Sequence, residues 1–133
     1  MDFAKLDKFL DDVQPLLLRL ASEHALKQPA VERWRWDEPA VSLTWLGPEN
    51  ISRNMRAVID GETLAAEVNA WQDEDEEGGR QRVRYWKYEH FGLMAVPVDR
   101  DQLWSRLEEA YRAVSSWKRN DLKRVVLTPG ENR

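Results

Sequence analysis

The 133-residue chain contains no cysteine and only two histidines, His24 and His90. Without cysteine there are no disulfides, no thiolate nucleophiles and no cysteine-based metal sites, which agrees with a reducing compartment such as the cytoplasm. The two histidines lack the spacing of a paired metal-binding motif, and an isolated histidine is more often a packing residue than a catalytic base. We therefore predict a cytoplasmic protein without a metal site or a cofactor.

Long apolar runs and the common catalytic motifs are also missing. No segment approaches the roughly 20 apolar residues that a membrane span requires, and the first residues form neither a basic leader nor an uninterrupted apolar core. There is no glycine-rich phosphate loop and no Gly-x-Ser-x-Gly motif. We expect no export signal and no membrane association, and we assign no catalytic residue, although carboxylates distant in sequence could still meet in space.

The net charge of -4 and the isoelectric point near 5.3 disfavour broad attraction to nucleic acid. Tryptophan is the abundant residue, with seven copies. Each indole must either be buried with its N–H satisfied or serve as an anchor at an interface. The length fits one domain, which we place at residues 1–128, followed by a tail at 129–133.

The apolar periodicity predicts an α+β fold. A helical spacing of three and four begins at Phe3 and continues to His24, with Pro15 expected to kink or split the helix. A second amphipathic helix is predicted after Asp99, its N-cap. Between the helices the period is two, which indicates an antiparallel meander of five to six strands, and a short strand from Leu122 ends the fold. We predict that both helices pack on one face of the sheet.

Two hairpins set the predicted register of the sheet. Asp60-Gly61 is typical of a type I′ turn, and counting back from it places Ala57 opposite Leu64. For the next hairpin, burial favours Ala70 opposite Val83. This pairing leaves Lys87 and Glu89 on the buried side, so we expect a bulge or an early exit from the sheet there.

The second hairpin separates charge. Five acidic residues at 73–77 are followed by Gly78-Gly79 and then by Arg80, Arg82 and Arg84. The acids resemble the start of a calcium-binding loop, but the twelfth position requires a glutamate and is Arg84. We interpret the acids as a solvated hairpin tip that neutralises the arginines.

The strand after the tip carries the main candidate site, because alternate residues of a strand share one face. That face combines arginine with tryptophan and tyrosine, the residues of protein interface hot spots. The candidate partner-binding residues are Arg82, Arg84, Trp86, Tyr88, Trp71, Arg56, Asp73, Asp75 and Glu77. Our first hypothesis is a protein partner anchored by this face and steered by the acidic hairpin, which would attract a basic partner.

Three alternatives to a separate protein partner stay open. Single-stranded nucleic acid could stack on the same aromatic face, although the neighbouring acids would repel a phosphate backbone. A helix could cover the face, in which case its aromatic rings belong to the core. A homodimer through the first helix or the aromatic face would also account for exposed rings.

Arg53 points to a different function. Its parity places it among Ile51, Met55 and Ala57 on the buried face, where a guanidinium must be paired, hydrated or bound to an anion. An ion pair with Glu108 or Glu109 is the structural explanation. The functional alternative is a pocket between sheet and helices that binds an anionic or amphipathic small molecule through Arg53.

Overall fold

The computed structural model describes residues 3–34, 39–60, 63–95 and 100–127. Within these ranges two helices accompany six strands that form one antiparallel sheet in the order β1-β2-β3-β4-β5-β6. The elements are α1 (Phe3–Glu23), β1 (Lys27–Trp34), β2 (Ala40–Leu46), β3 (Ser52–Asp60), β4 (Thr63–Glu76), β5 (Gln81–Ala95), α2 (Arg100–Ser116) and β6 (Lys123–Leu127). The predicted α+β meander with a short final strand is confirmed. The proposed cap Asp99, Gly61 of the first turn and the tail at 129–133 lie outside the described residues.

Both helices pack on the same face of the sheet and enclose the hydrophobic core. Leu17 of α1 and Leu107 of α2 are buried together with Leu43, Met55 and Val68 of the central strands. Neither helix, within the part of the chain that the structure describes, combines the length and hydropathy needed to cross a bilayer. The side of the sheet that carries the helices is called the helix side below, and the opposite side the open face.

The first helix is continuous across Pro15 and is not split in two. Pro15 is exposed, so water can bond the backbone carbonyl that loses its N–H donor to the proline ring. The apolar spacing of the helix then keeps one side turned to the sheet along its length.

The register of β3 and β4 differs from the prediction by two residues. Asp60 pairs with Thr63, and Ala57 therefore faces Ala66 instead of Leu64. The observed register also places Arg56 opposite Glu67, its ion-pair partner. Because the shift is even, every side chain keeps its predicted face.

The register of β4 and β5 differs by four residues, since Ala70 pairs with Lys87 and not with Val83. The strands run on to Glu76 and from Gln81, so most of the predicted acidic tip is strand. Opposite charges now face each other across the pair, with Asp73 opposite Arg84. The turn at Glu77–Gly79 is short, and its glycines supply positive φ angles.

The strand β5 neither bulges nor leaves the sheet at Lys87 and Glu89. Lys87 is half-buried and its Nζ lies 4.7 Å from the ring centroid of Trp117, a cation–π contact that accommodates the charge. Glu89 is exposed, and the strand continues to Ala95. The irregularity occurs farther along, between Leu64 and Ala66 of β4.

Candidate binding surface and pocket

An aromatic pair lies on the open face of β5. Trp86 and Tyr88 project from alternate positions, are each 42% exposed, and have ring centroids 6.2 Å apart with an interplanar angle of 30°. Trp71 of β4 is paired with Trp86 across the strands and is half-buried. The sheet therefore brings together the three aromatic residues that the sequence assigns to one face.

Exposed apolar side chains concentrate beside this pair. Within the described ranges the exposed large hydrophobic residues are Leu18, Trp86, Tyr88, Val125 and Val126. All except Leu18 belong to β5 or to its edge neighbour β6. Val125 is opposite Arg84 and thus shares the open face with Trp86. We call Trp71, Trp86, Tyr88 and Val125 the aromatic surface.

The arginines beside the aromatic surface are neutralised within the sheet. Arg84 makes two hydrogen bonds to Asp73, from Nε to Oδ1 at 2.7 Å and from Nη2 to Oδ2 at 2.9 Å. The more exposed Arg82 lies 3.8 Å from the same carboxylate. The hydrogen bond from Arg84 holds the pKa of Asp73 below its ordinary value. Such a two-point pair fixes both side chains in one geometry.

Glu67 connects the polar and aromatic parts of the open face. Its Oε1 accepts a hydrogen bond from Arg56 Nε at 3.1 Å, and its Oε2 accepts a hydrogen bond from the Tyr88 hydroxyl. Burial alone would raise the pKa of Glu67, but the hydrogen bonds from Tyr88 and Arg56 outweigh it, and the pKa is lowered. The bond to Glu67 also orients the Tyr88 ring at the surface.

Two other acids of the hairpin, Glu74 and Glu76, point to the helix side, where arginines from outside the hairpin bind them. Glu74 accepts from Arg119 Nη1 at 2.7 Å, and Glu76 accepts from Arg124 Nη2 at 2.7 Å. Arg119 also stacks over Tyr85, with Cζ 3.5 Å from the ring centroid. Asp75 and Glu77 form no ion pair among the described residues, and both are exposed. Sequence periodicity gave no signal for Arg119 or Arg124.

Arg53 is buried on the helix side, as its parity predicts, with 2% of its surface exposed. Its Nη1 donates to the backbone carbonyl of Val114, near the end of α2. The predicted ion pair with Glu108 or Glu109 is wrong, because Glu108 lies 3.9 Å from Arg112 and Glu109 lies 3.3 Å from Arg106. No carboxylate of the described residues lies within ion-pair distance of Arg53.

A pocket of about 470 Å³ opens beside Arg53, between the end of α1, the β2–β3 connection and the last turns of α2. His24 and Tyr111 stack at its wall, with ring centroids 4.2 Å apart and an interplanar angle of 23°. The described residues that line it are His24, Ala25, Leu26, Lys27, Trp45, Leu46, Gly47, Pro48, Arg53, Tyr111 and Ser115. As far as the structure describes the chain, the helix-side pocket is thus lined by basic, apolar and uncharged polar residues and by no acid.

Comparison with known proteins assigns no family. No protein-family model, no curated protein and no solved structure matches this chain significantly. In the described ranges no group of three or more histidine or carboxylate side chains is arranged to hold a metal ion. The aromatic surface and the helix-side pocket are therefore the two candidate functional sites.

Proposed function

We propose that this chain is a cytoplasmic binding protein that recognises a protein partner through the aromatic surface. One observation carries the proposal: Trp86 and Tyr88 lie side by side, each 42% exposed, on a sheet face that also exposes Val125. Monomeric proteins seldom leave adjacent large rings in water without a use for them. Tryptophan, tyrosine and arginine are the residues that most often dominate binding energy at interfaces.

The polar surroundings support recognition because they hold the surface in one conformation. Tyr88 is tied to Glu67, and Arg84 is tied to Asp73 by two hydrogen bonds. Side chains that are already ordered lose less conformational entropy when a partner binds. The arrangement therefore resembles an anchor with a polar rim, prepared before association.

Charge favours a protein over nucleic acid. Arg56, Arg84 and to a smaller extent Arg82 face carboxylates of Glu67 and Asp73 on the same side of the sheet. A phosphate backbone would meet those carboxylates as well as the arginines. The exposed acids Asp75 and Glu77 at the hairpin end can still steer a partner with basic residues near its contact surface.

Affinity capture with matched variants tests the proposal. Wild-type protein, Trp86→Ala, Tyr88→Ala and the control Leu18→Ala are immobilised and exposed to the same cell extract. Leu18 is an exposed apolar residue on α1, away from the sheet face, so its truncation controls for general stickiness. We expect proteins retained by wild type and Leu18→Ala to be lost from Trp86→Ala and Tyr88→Ala.

In the capture experiment, identical retention by all four proteins would refute the aromatic surface as a recognition site. Two further measurements separate the alternatives. Quenching of tryptophan fluorescence by oligonucleotides at low salt would favour single-stranded nucleic acid instead. Sedimentation velocity tests for a homodimer. If wild type sediments as a dimer and Trp86→Ala as a monomer, the partner is a second copy of the chain.

A further inference from the structure

The helix-side pocket lies on the face of the sheet opposite to the aromatic surface and calls for its own explanation. We propose that it binds a small amphipathic anion, with a carboxylate or phosphate group at Arg53 and an apolar body against the aromatic wall. The inference does not depend on the proposed protein partner, because the two sites share no residue.

Two buried polar groups at the pocket have no protein partner. Arg53 uses Nη1 to bond the Val114 carbonyl, but its Nε has no acceptor. The Ser115 hydroxyl, one residue along α2, is also buried without a partner. Buried donors are rarely left unsatisfied in folded proteins. Either group could donate to an acidic oxygen of a ligand that reaches it.

Charge around the pocket selects an anion. Arg53 and Lys27 line it, and no acidic residue of the described ranges is among the lining residues. Burial lowers the pKa of Arg53, while Glu49, on the exposed turn after β2, and Tyr111 partly oppose that shift. The burial of this cation is therefore only partly compensated by the protein.

The end of α2 accounts for part of the Arg53 environment and must be weighed against a ligand. Carbonyls in the last turn of a helix lack intrahelical donors and carry partial negative charge, so they attract a guanidinium. This role explains the bond to Val114. It leaves Arg53 Nε and the Ser115 hydroxyl unexplained, and it gives no reason for Lys27 at the same pocket.

The apolar walls of the pocket indicate what the uncharged part of the ligand is. Trp45 packs at a tilt against Tyr111, with ring centroids 5.7 Å apart, and Leu26 and Leu46 complete the lining around them. A volume of about 470 Å³ falls in the range of small-molecule sites. These features fit a ring or a short hydrocarbon chain that ends in an acid group.

Gly47 provides a way to test the site without removing its charge. A Cβ at this position would lie 2.2 Å from Arg53 Nε and 2.8 Å from Arg53 Cδ. The φ angle of Gly47 is -95°, which any residue adopts. The close approach of the guanidinium is therefore what requires glycine here, and Gly47→Ala should displace the guanidinium.

Isothermal titration calorimetry tests the inference with octanoate, octyl phosphate and the neutral analogue 1-octanol. We expect one of the two anions to bind with a stoichiometry of one, at least about tenfold more tightly than 1-octanol. Arg53→Met and Gly47→Ala should each weaken the binding of the anion by about tenfold or more, and Lys27→Ala should weaken it by a few-fold. Arg56→Met, on the same strand but facing the other side, should bind like wild type.

The two anions distinguish carboxylate from phosphate recognition, and either preference supports the site. Equal affinity for both anions and 1-octanol, or no saturable binding by any of the three, would overturn the inference and leave a water-filled cavity. If circular dichroism shows that Arg53→Met does not fold, Gly47→Ala decides, because unchanged anion affinity in that variant also overturns it. Trp86→Ala should leave the titration unchanged.

Discussion

The aromatic surface and the helix-side pocket use arginine in opposite ways. On the open face, Arg84 is partly exposed and makes two hydrogen bonds to the carboxylate of Asp73. In the pocket, Arg53 is 2% exposed and has no carboxylate of the described residues within ion-pair distance. A run of arginines is therefore not itself the site. On the open face the charges are satisfied and apolar rings are exposed, whereas in the pocket a charge is left incompletely satisfied.

The largest expected effect on stability comes from truncating the buried arginine. Arg53→Ala removes the donor to the Val114 carbonyl and leaves a cavity where the guanidinium packed. We expect a loss of about 2–4 kcal/mol in the free energy of unfolding, measured by urea denaturation. Arg56→Ala, on the other side of the same strand, should lose no more than about 1 kcal/mol. Equal losses would mean that the two arginines are energetically alike.

The next largest effect on stability is expected from a substitution that crowds Arg53 without removing it. Gly47→Ala should lower the free energy of unfolding by about 1–3 kcal/mol, because the new methyl group overlaps the guanidinium. The same substitution in an Arg53→Ala background should reduce the free energy of unfolding much less, since the overlapping Cδ and Nε atoms are gone. A double-mutant cycle measured by urea denaturation provides the comparison. Additive losses would show that Gly47 is required for another reason.

The paired charges of the open face predict a pH dependence. The folded-state pKa of Asp73 is lowered by the hydrogen bond from Arg84. A lowered pKa stabilises the fold above the unfolded value near pH 4, and that stability is lost as the pH falls through the folded value. Asp73→Asn should be about 0.5–1 kcal/mol less stable than wild type at pH 7, and this difference should shrink toward zero as the pH falls below about 4. Wild-type and variant unfolding curves that keep a constant separation from pH 7 to pH 2 would contradict the prediction.

The smallest effect on stability is expected at the edge of the aromatic surface. Val125→Thr keeps the β-branched shape on an exposed position of β6 and should change the free energy of unfolding by less than about 0.5 kcal/mol. It should nevertheless weaken retention of the captured partner by a few-fold, because a hydroxyl replaces a methyl group at the contact. Unaltered retention would confine the recognition surface to β4 and β5.

The alternation of residues was sufficient to predict the faces of the sheet but not its register. Both register errors were even, by two and by four residues, so Trp86 and Arg53 kept their predicted sides. Cross-strand charge would have corrected them, since Arg56 opposite Glu67 and Asp73 opposite Arg84 occur only in the observed pairing. The first predicted register rests on the turn type and the second on burial, and neither takes the cross-strand ion pairs into account.

The surroundings of each site depend on tertiary packing that periodicity does not encode. Arg119 and Arg124 reach the acidic strand because of the path that the chain takes into β6. The acceptor of Arg53 is a backbone carbonyl of α2, and the way in which that helix meets the sheet decides which carbonyl it is. Arg53 could thus be identified from the sequence as a buried cation, but its partner and its pocket could not.

The most direct test of the central claim is the dissociation constant of the purified captured partner for Trp86→Ala. With Leu18→Ala binding like wild type, we predict that Trp86→Ala binds at least about tenfold more weakly, as expected for an aromatic anchor. An affinity equal to that of wild type in a folded Trp86→Ala variant would contradict the claim that the open face recognises a partner.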